Sequence, residues 1–178
     1  MVNRGFTLIE TLVIISILTL LTSFLILYSR GGERQIILLR EKAELISAIL
    51  RAKSLAINTL VEDEPACGYG VAFDGSNYFI YKDLAGDCGL SDRVYSGPAS
   101  GEKLENETCA ESGGVCTLDP SLKFFQRDVN DVLFVPPDPR VFLDGGQSLA
   151  EAIIALSTLD ESSQTNITIN NAGQISSQ

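Results

Sequence analysis

The sequence predicts an α+β protein: a long N-terminal helix, transmembrane in its first half and amphipathic in its second, packed on a mainly antiparallel, β-rich globular head. Three observations carry this prediction. An uninterrupted apolar run lies near the N-terminus, a charged stretch with helical periodicity follows it, and beyond Glu62 the composition turns to Gly, Ser, Asp and Pro with short apolar runs between. At 178 residues the chain has room for one ordinary domain beside the helix.

The first element runs from Phe6 to Tyr28 and contains one charge, Glu10, with no Lys, Arg, Gly or Pro. A helix of about 23 residues rises ~34 Å, enough to cross a hydrocarbon core of ~30 Å. A secretory signal would have a shorter apolar region and small residues at a following cut site, and neither is present. Arg4 alone precedes the span while Arg30 and Arg34 follow it, so the flanking charges by themselves favour the opposite orientation to an exported head or at best leave it undecided.

Gly5-Phe6-Thr7-Leu8-Ile9-Glu10, with Arg4 before it and the apolar run directly after, closely resembles the recognition sequence of the type IV prepilin family. The resemblance covers roughly the first thirty residues. It implies cleavage between Gly5 and Phe6 by a prepilin peptidase, N-methylation of Phe6, and an assembly role for Glu10. The expected divisions are then residues 1–5 as leader peptide, 6–29 as transmembrane and assembly helix, 30–62 as amphipathic stalk and 63–178 as extracytoplasmic head. Expected partners are the peptidase, other pilin or pseudopilin subunits and an inner-membrane assembly platform. The expected location is the inner membrane as a single-pass chain, then a filament at the periplasm or cell surface. Physical chemistry points to Glu10 independently, because an unpaired carboxylate in hydrocarbon costs about 3 kcal/mol. After cleavage the Phe6 amine is the other charge at comparable depth, and four residues of helix hold the two roughly 6 Å apart. In the resembling family the pair forms between neighbouring subunits. The plain alternative is an uncleaved single-pass anchor, with Glu10 snorkelling to the interface and the head binding a ligand.

The second element, Glu33 to about Leu60, reads as helix. Ile36, Leu39, Ala43, Ile46, Leu50, Ile57 and Leu60 recur at steps of three and four, with Lys53 the polar member of the series. This stripe is expected to be the seam against the head. Gly31-Gly32 costs about 1 kcal/mol per residue relative to Ala, so it is expected to mark a bend, a weak point or a break between span and stalk.

The head is expected to be strands. Tyr69–Phe73 turns through Asp74-Gly75-Ser76-Asn77 into Tyr78–Tyr81 as a hairpin. Leu122–Phe125, Val132–Val135, Arg140–Leu143, Ile153–Ser157 and Ile167–Ile169 follow as short β-branched or aromatic runs between turn residues. Ser148–Leu156 is ambiguous, because Leu149-Ala150-Glu151-Ala152 favours helix. Cys67, Cys88, Cys109 and Cys116 all lie beyond the span, so disulfides are expected in an exported head. Pairing Cys67 with Cys88 and Cys109 with Cys116 would close two local loops, although four cysteines allow three connectivities. Arg51-Ala52-Lys53-Ser54-Leu55-Ala56-Ile57 and the ending Asn166–Ile169, Asn170-Asn171-Ala172-Gly173-Gln174-Ile175 resemble the H-type minor pseudopilins of type II secretion and their FimT-like relatives. Ala85–Leu122 resembles no named pattern.

Composition narrows the function. The chain has no histidine and no constellation of carboxylates, serines or cysteines suited to catalysis, so an enzyme is not expected. No cofactor or structural zinc is expected, since there is no CxxC pair. Asp83, Asp87 and Asp92, and separately Asp128 with Asn130 and Asp131, cluster oxygen donors without a calcium-loop pattern, and turn capping explains both groups. Asn106-Glu107-Thr108 and Asn166-Ile167-Thr168 fit a glycosylation sequon, which is discounted in a prokaryotic pilin-like chain. Capture of DNA for uptake is the rival role. A net charge of -10 opposes it, as does the stretch beyond Arg140, which contains Asp144, Glu151, Asp160 and Glu161 and no basic residue. The expected role is a minor pilin or pseudopilin that joins or primes a filament.

Overall fold

A computed structural model describes residues 7–58, 66–136 and 140–178, with the side chains of 26–31 left aside. Helix α1 covers Leu8–Asn58, and among the described residues nine strands follow: β1 Gly68–Asp74, β2 Asn77–Asp83, β3 Val115–Thr117, β4 Leu122–Arg127, β5 Asp131–Val135, β6 Arg140–Leu143, β7 Glu151–Thr158, β8 Gln164–Asn170 and β9 Ile175–Ser177. The chain divides into two compact units, one ending at Ile37 and one running from Leu38 to Gln178. The fold is α+β, with two wholly antiparallel sheets in the second unit. One has the order β3-β2-β1-β5-β6 and the other β4-β7-β8-β9.

Local chemistry explains the first hairpin. Asp74 pairs with Asn77 across a two-residue turn, and Gly75 takes the left-handed conformation that such a turn requires, at φ 58°. In the middle of β1, Gly70 is required by close approach, since a Cβ there would sit 2.5 Å from the Val132 carbonyl and 2.7 Å from the Tyr81 ring. The expected strands after residue 120 all form. The ambiguous segment becomes β7 from Glu151 onward, because β7 is paired on both sides, by β4 and by β8. Two-sided pairing overrides the helical preference of Leu-Ala-Glu-Ala. Strands β3 and β9 are three residues each, below what alternation can reveal.

Two expectations about α1 are corrected. The helix continues through Gly31-Gly32, so of the bend, weak point or break expected there, the break does not form. Two glycine penalties of about 1 kcal/mol each are smaller than the cost of ending and renucleating a helix. The seam is also a different face from the expected one. Ile36, Leu39, Leu50 and Ile57 are exposed, at 59% for Leu39 and 50% for Leu50, while Ala43 is exposed and Ile46 half-buried. Leu60 lies outside the described residues. The buried face is Leu38, Glu41, Leu45, Ala48, Ile49, Ala52 and Ala56, with Leu45, Ile49, Ala52 and Ala56 fully covered. Three alanines and a glutamate make this face inconspicuous to a search for large apolar residues, yet small side chains let a helix backbone approach its neighbour closely. Polar contacts also hold this part of α1 to the head. Lys53 Nζ donates to the Gly173 carbonyl at 2.8 Å, and Arg51 Nε donates to Glu107 Oε2 at 2.7 Å.

The long connection between β2 and β3 has little secondary structure beyond a 3₁₀ turn at Ala110–Ser112 and is held by other means. Disulfides join Cys67 to Cys88 and Cys109 to Cys116. The buried carboxylate of Glu102 accepts the Ser96 N–H at 2.8 Å and the Ser100 hydroxyl at 3.0 Å, while the Lys82 N–H donates to the Glu102 carbonyl. Tyr95, within this connection, meets Phe79 and Tyr81 of β2 edge to face.

Asp131, at the start of β5, is buried and accepts the Tyr81 hydroxyl at 3.4 Å. Burial and the neighbouring Asp144 push its carboxyl up to about 7, with Asp92 adding to the rise and bonds from Tyr81 and the Tyr95 N–H opposing it. The folded chain therefore keeps a proton that the unfolded chain releases near pH 4, and this group's penalty to folding grows as pH rises from about 4 to 7. Asp131→Asn should raise unfolding stability by about 1–2 kcal/mol at pH 8 and leave it nearly unchanged at pH 4. Denaturant titration of the detergent-solubilised chain at both pH values checks this; equal effects at both would contradict it.

Candidate functional site

The candidate site is the N-terminal end of α1. Leu8–Leu25 is long and apolar enough to cross a membrane, and none of it is buried within the chain. Its large side chains, from Leu8 to Leu25, are exposed, so this surface needs lipid or other helices around it. The hydroxyl residues of the span do not oppose that placement. Thr11 bonds back to the Leu8 carbonyl, Ser16 to Leu12, Thr19 to Ser16, Thr22 to Leu18 and Ser23 to Thr19, at 2.7–2.9 Å. Each hydroxyl is satisfied inside its own helix, as a bilayer demands.

Thr7 and Glu10 close the helix start reciprocally. Glu10 Oε2 accepts the Thr7 backbone N–H at 3.1 Å and the Thr7 hydroxyl at 3.0 Å, while the Glu10 N–H approaches Thr7 Oγ1 at 3.4 Å. The Thr7 carbonyl accepts the Thr11 N–H. This is a capping box, with Thr7 as N-cap and Glu10 three residues on, and it satisfies donors that would otherwise be orphaned in hydrocarbon. The T-x-x-E spacing is visible in the sequence, but reading Glu10 for its cost in the membrane leaves its local role unseen. A carboxylate near a helix N-terminus also gains from the helix dipole. Among the described residues, Glu10 Oε1 has no hydrogen bond. Gly5 and Phe6, the expected cleavage and methylation positions, lie outside the described residues.

Among the remaining candidates, Asp92 lies near enough to Asp83 and Asp131 to help raise both carboxyls. Asp87 accepts the Gly89 N–H, Asp92 the Val94 N–H, and the buried Asp83 the Ser91 hydroxyl. Asp128 accepts from Gln126 Nε2 and the Ile153 N–H, at 2.9 and 3.0 Å. These carboxylates are occupied in shaping turns and strand ends.

A family model described as the prokaryotic N-terminal methylation motif matches residues 1–26. No curated protein and no solved structure matches the chain. The chain thus carries a type IV pilin-like signal, continuous with the exposed apolar helix that begins at Leu8.

Proposed function

We propose that the chain is a minor pilin or pseudopilin, of the H-type or FimT-like group, that joins or primes a type IV pilus-like filament or a type II secretion pseudopilus. Prepilin peptidase cuts between Gly5 and Phe6, the Phe6 amine is methylated, and residues 6–29 anchor the subunit in the inner membrane with residues 63–178 outside. Other pilins and an inner-membrane platform are its partners. The observation that carries this reading is the methylation motif at residues 1–26, running into a helix whose apolar side chains have no cover within the chain.

Other features support it. Cleavage after Gly5 preserves the peptide N–H of Thr7, so the capping box belongs to the mature chain. Glu10 then has one oxygen committed to Thr7 and one able to meet a neighbour's Phe6 amine in a medium where an unpaired charge costs about 3 kcal/mol. Ile36, Leu39, Leu50 and Ile57 supply apolar surface beyond the span for packing against further helices. Two disulfides suit an oxidising compartment. The test is fractionation. The chain should appear with sheared filaments or pseudopili in cells containing prepilin peptidase, and stay wholly with membranes in cells lacking it. Peptidase-independent fractionation would refute the proposal.

A further inference from the structure

The head contains a cleft of about 580 Å³ in which carboxylates and aromatic rings converge. Asp131 lies buried at its floor, and the exposed Asp74 and Glu105 stand at its margin, with Lys103 the basic residue among its lining. Its aromatic wall is Tyr95, half-buried and packed edge-on against Phe79 with ring centroids 4.8 Å apart. The stapled connection between β2 and β3 supplies Tyr95, Lys103 and Glu105, so Cys67–Cys88, Cys109–Cys116 and Glu102 hold the wall in place before any ligand arrives.

We propose that this cleft binds an arginine or lysine side chain presented by a segment of another protein. The exposed Asp74 and Glu105 outnumber Lys103 in the lining, the buried Asp131 adds negative charge as its carboxyl ionises around pH 7, and the net charge of -10 draws cations toward the cleft. An aromatic ring beside those carboxylates adds attraction for a cation. The volume lies within the ~300–1,000 Å³ of built ligand sites, far more than one guanidinium fills, and leaves room for the residues that flank it. The proposal does not depend on how the N-terminus is processed.

Calorimetric titration of the full-length protein in detergent micelles tests it, using a capped alanine pentapeptide with a central arginine. Binding should saturate at one site, and an otherwise identical citrulline peptide should bind about tenfold more weakly or worse. Asp74→Asn and Glu105→Gln, both at exposed positions, should each weaken the arginine peptide by about tenfold, and Lys103→Gln should strengthen it. Equal affinity for the citrulline peptide, unchanged affinity in both carboxylate variants, or no saturable binding overturns the proposal. Arginine amide binding as tightly as the pentapeptide overturns the assignment to a protein-borne side chain.

Discussion

Glu10→Ala is expected to leave the chain inserted in the membrane and to remove it from the filament fraction. Replacing a carboxylate by a methyl lowers the cost of insertion by about 3 kcal/mol, so membrane content should hold or rise. The same change destroys two things, the capping box with Thr7 and the negative charge. Further substitutions separate them. Glu10→Gln keeps an acceptor for the Thr7 N–H but carries no charge to meet a neighbour's amine. Thr7→Val keeps the charge and loses the hydroxyl, at about 1 kcal/mol of helix-end stability. If charge drives assembly, Glu10→Gln fails like Glu10→Ala, and Thr7→Val assembles with at most a modest deficit. Recovery of normal filament content by Glu10→Gln would assign Glu10 to capping alone. The readout is subunit content of sheared filaments relative to membranes.

Leu45→Ala is expected to destabilise the head by about 3–4 kcal/mol, while Leu50→Ala changes it by less than about 0.5 kcal/mol. The two leucines are five residues apart on α1 and chemically identical. Leu45 is fully covered and Leu50 is 50% exposed. Truncating the first removes packed methyl groups and leaves a cavity; truncating the second removes groups already in contact with solvent. Ala52→Leu should also be costly, by about 2 kcal/mol, because a covered alanine at the seam has no space for three more carbons. Denaturant unfolding of the detergent-solubilised chain measures all three. Leu39 and Leu50 belong to the face proposed to meet other subunits, so their substitution should register in filament content and not in head stability. Equal destabilisation by Leu45→Ala and Leu50→Ala would contradict this division of faces.

What the sequence makes legible follows from how local each cause is. Gly5 to Glu10 is a linear signal, and the apolar run beyond it needs only counting. The β1–β2 hairpin is readable because Asp74-Gly75-Ser76-Asn77 contains its own turn chemistry. The seam of α1 is not, because Ala48, Ala52, Ala56 and Glu41 share the buried face with Leu38, Leu45 and Ile49 and break up its apolar signal. Burial, with Glu44 and Asp119 nearby, raises the carboxyl of Glu41, and a charged residue at a seam runs against the pattern that periodicity seeks. The connection from β2 to β3 is opaque for another reason. Its conformation depends on disulfide partners, a buried Glu102 and aromatic contacts to β2, all of them tertiary. The acidic aromatic cleft joins Tyr95, Lys103 and Glu105 of that connection to residues of β1, β2, β3 and β5, so its residues carry no shared spacing in the sequence.

The most direct test of the pilin-like reading is mass spectrometry of the mature N-terminus, in protein purified from cells that contain a prepilin peptidase. The expected first residue is Phe6 bearing one methyl group on its amine, with residues 1–5 absent. An N-terminus at Met1 or Val2, with Gly5-Phe6 intact and unmethylated, would contradict processing and return the chain to an ordinary membrane anchor.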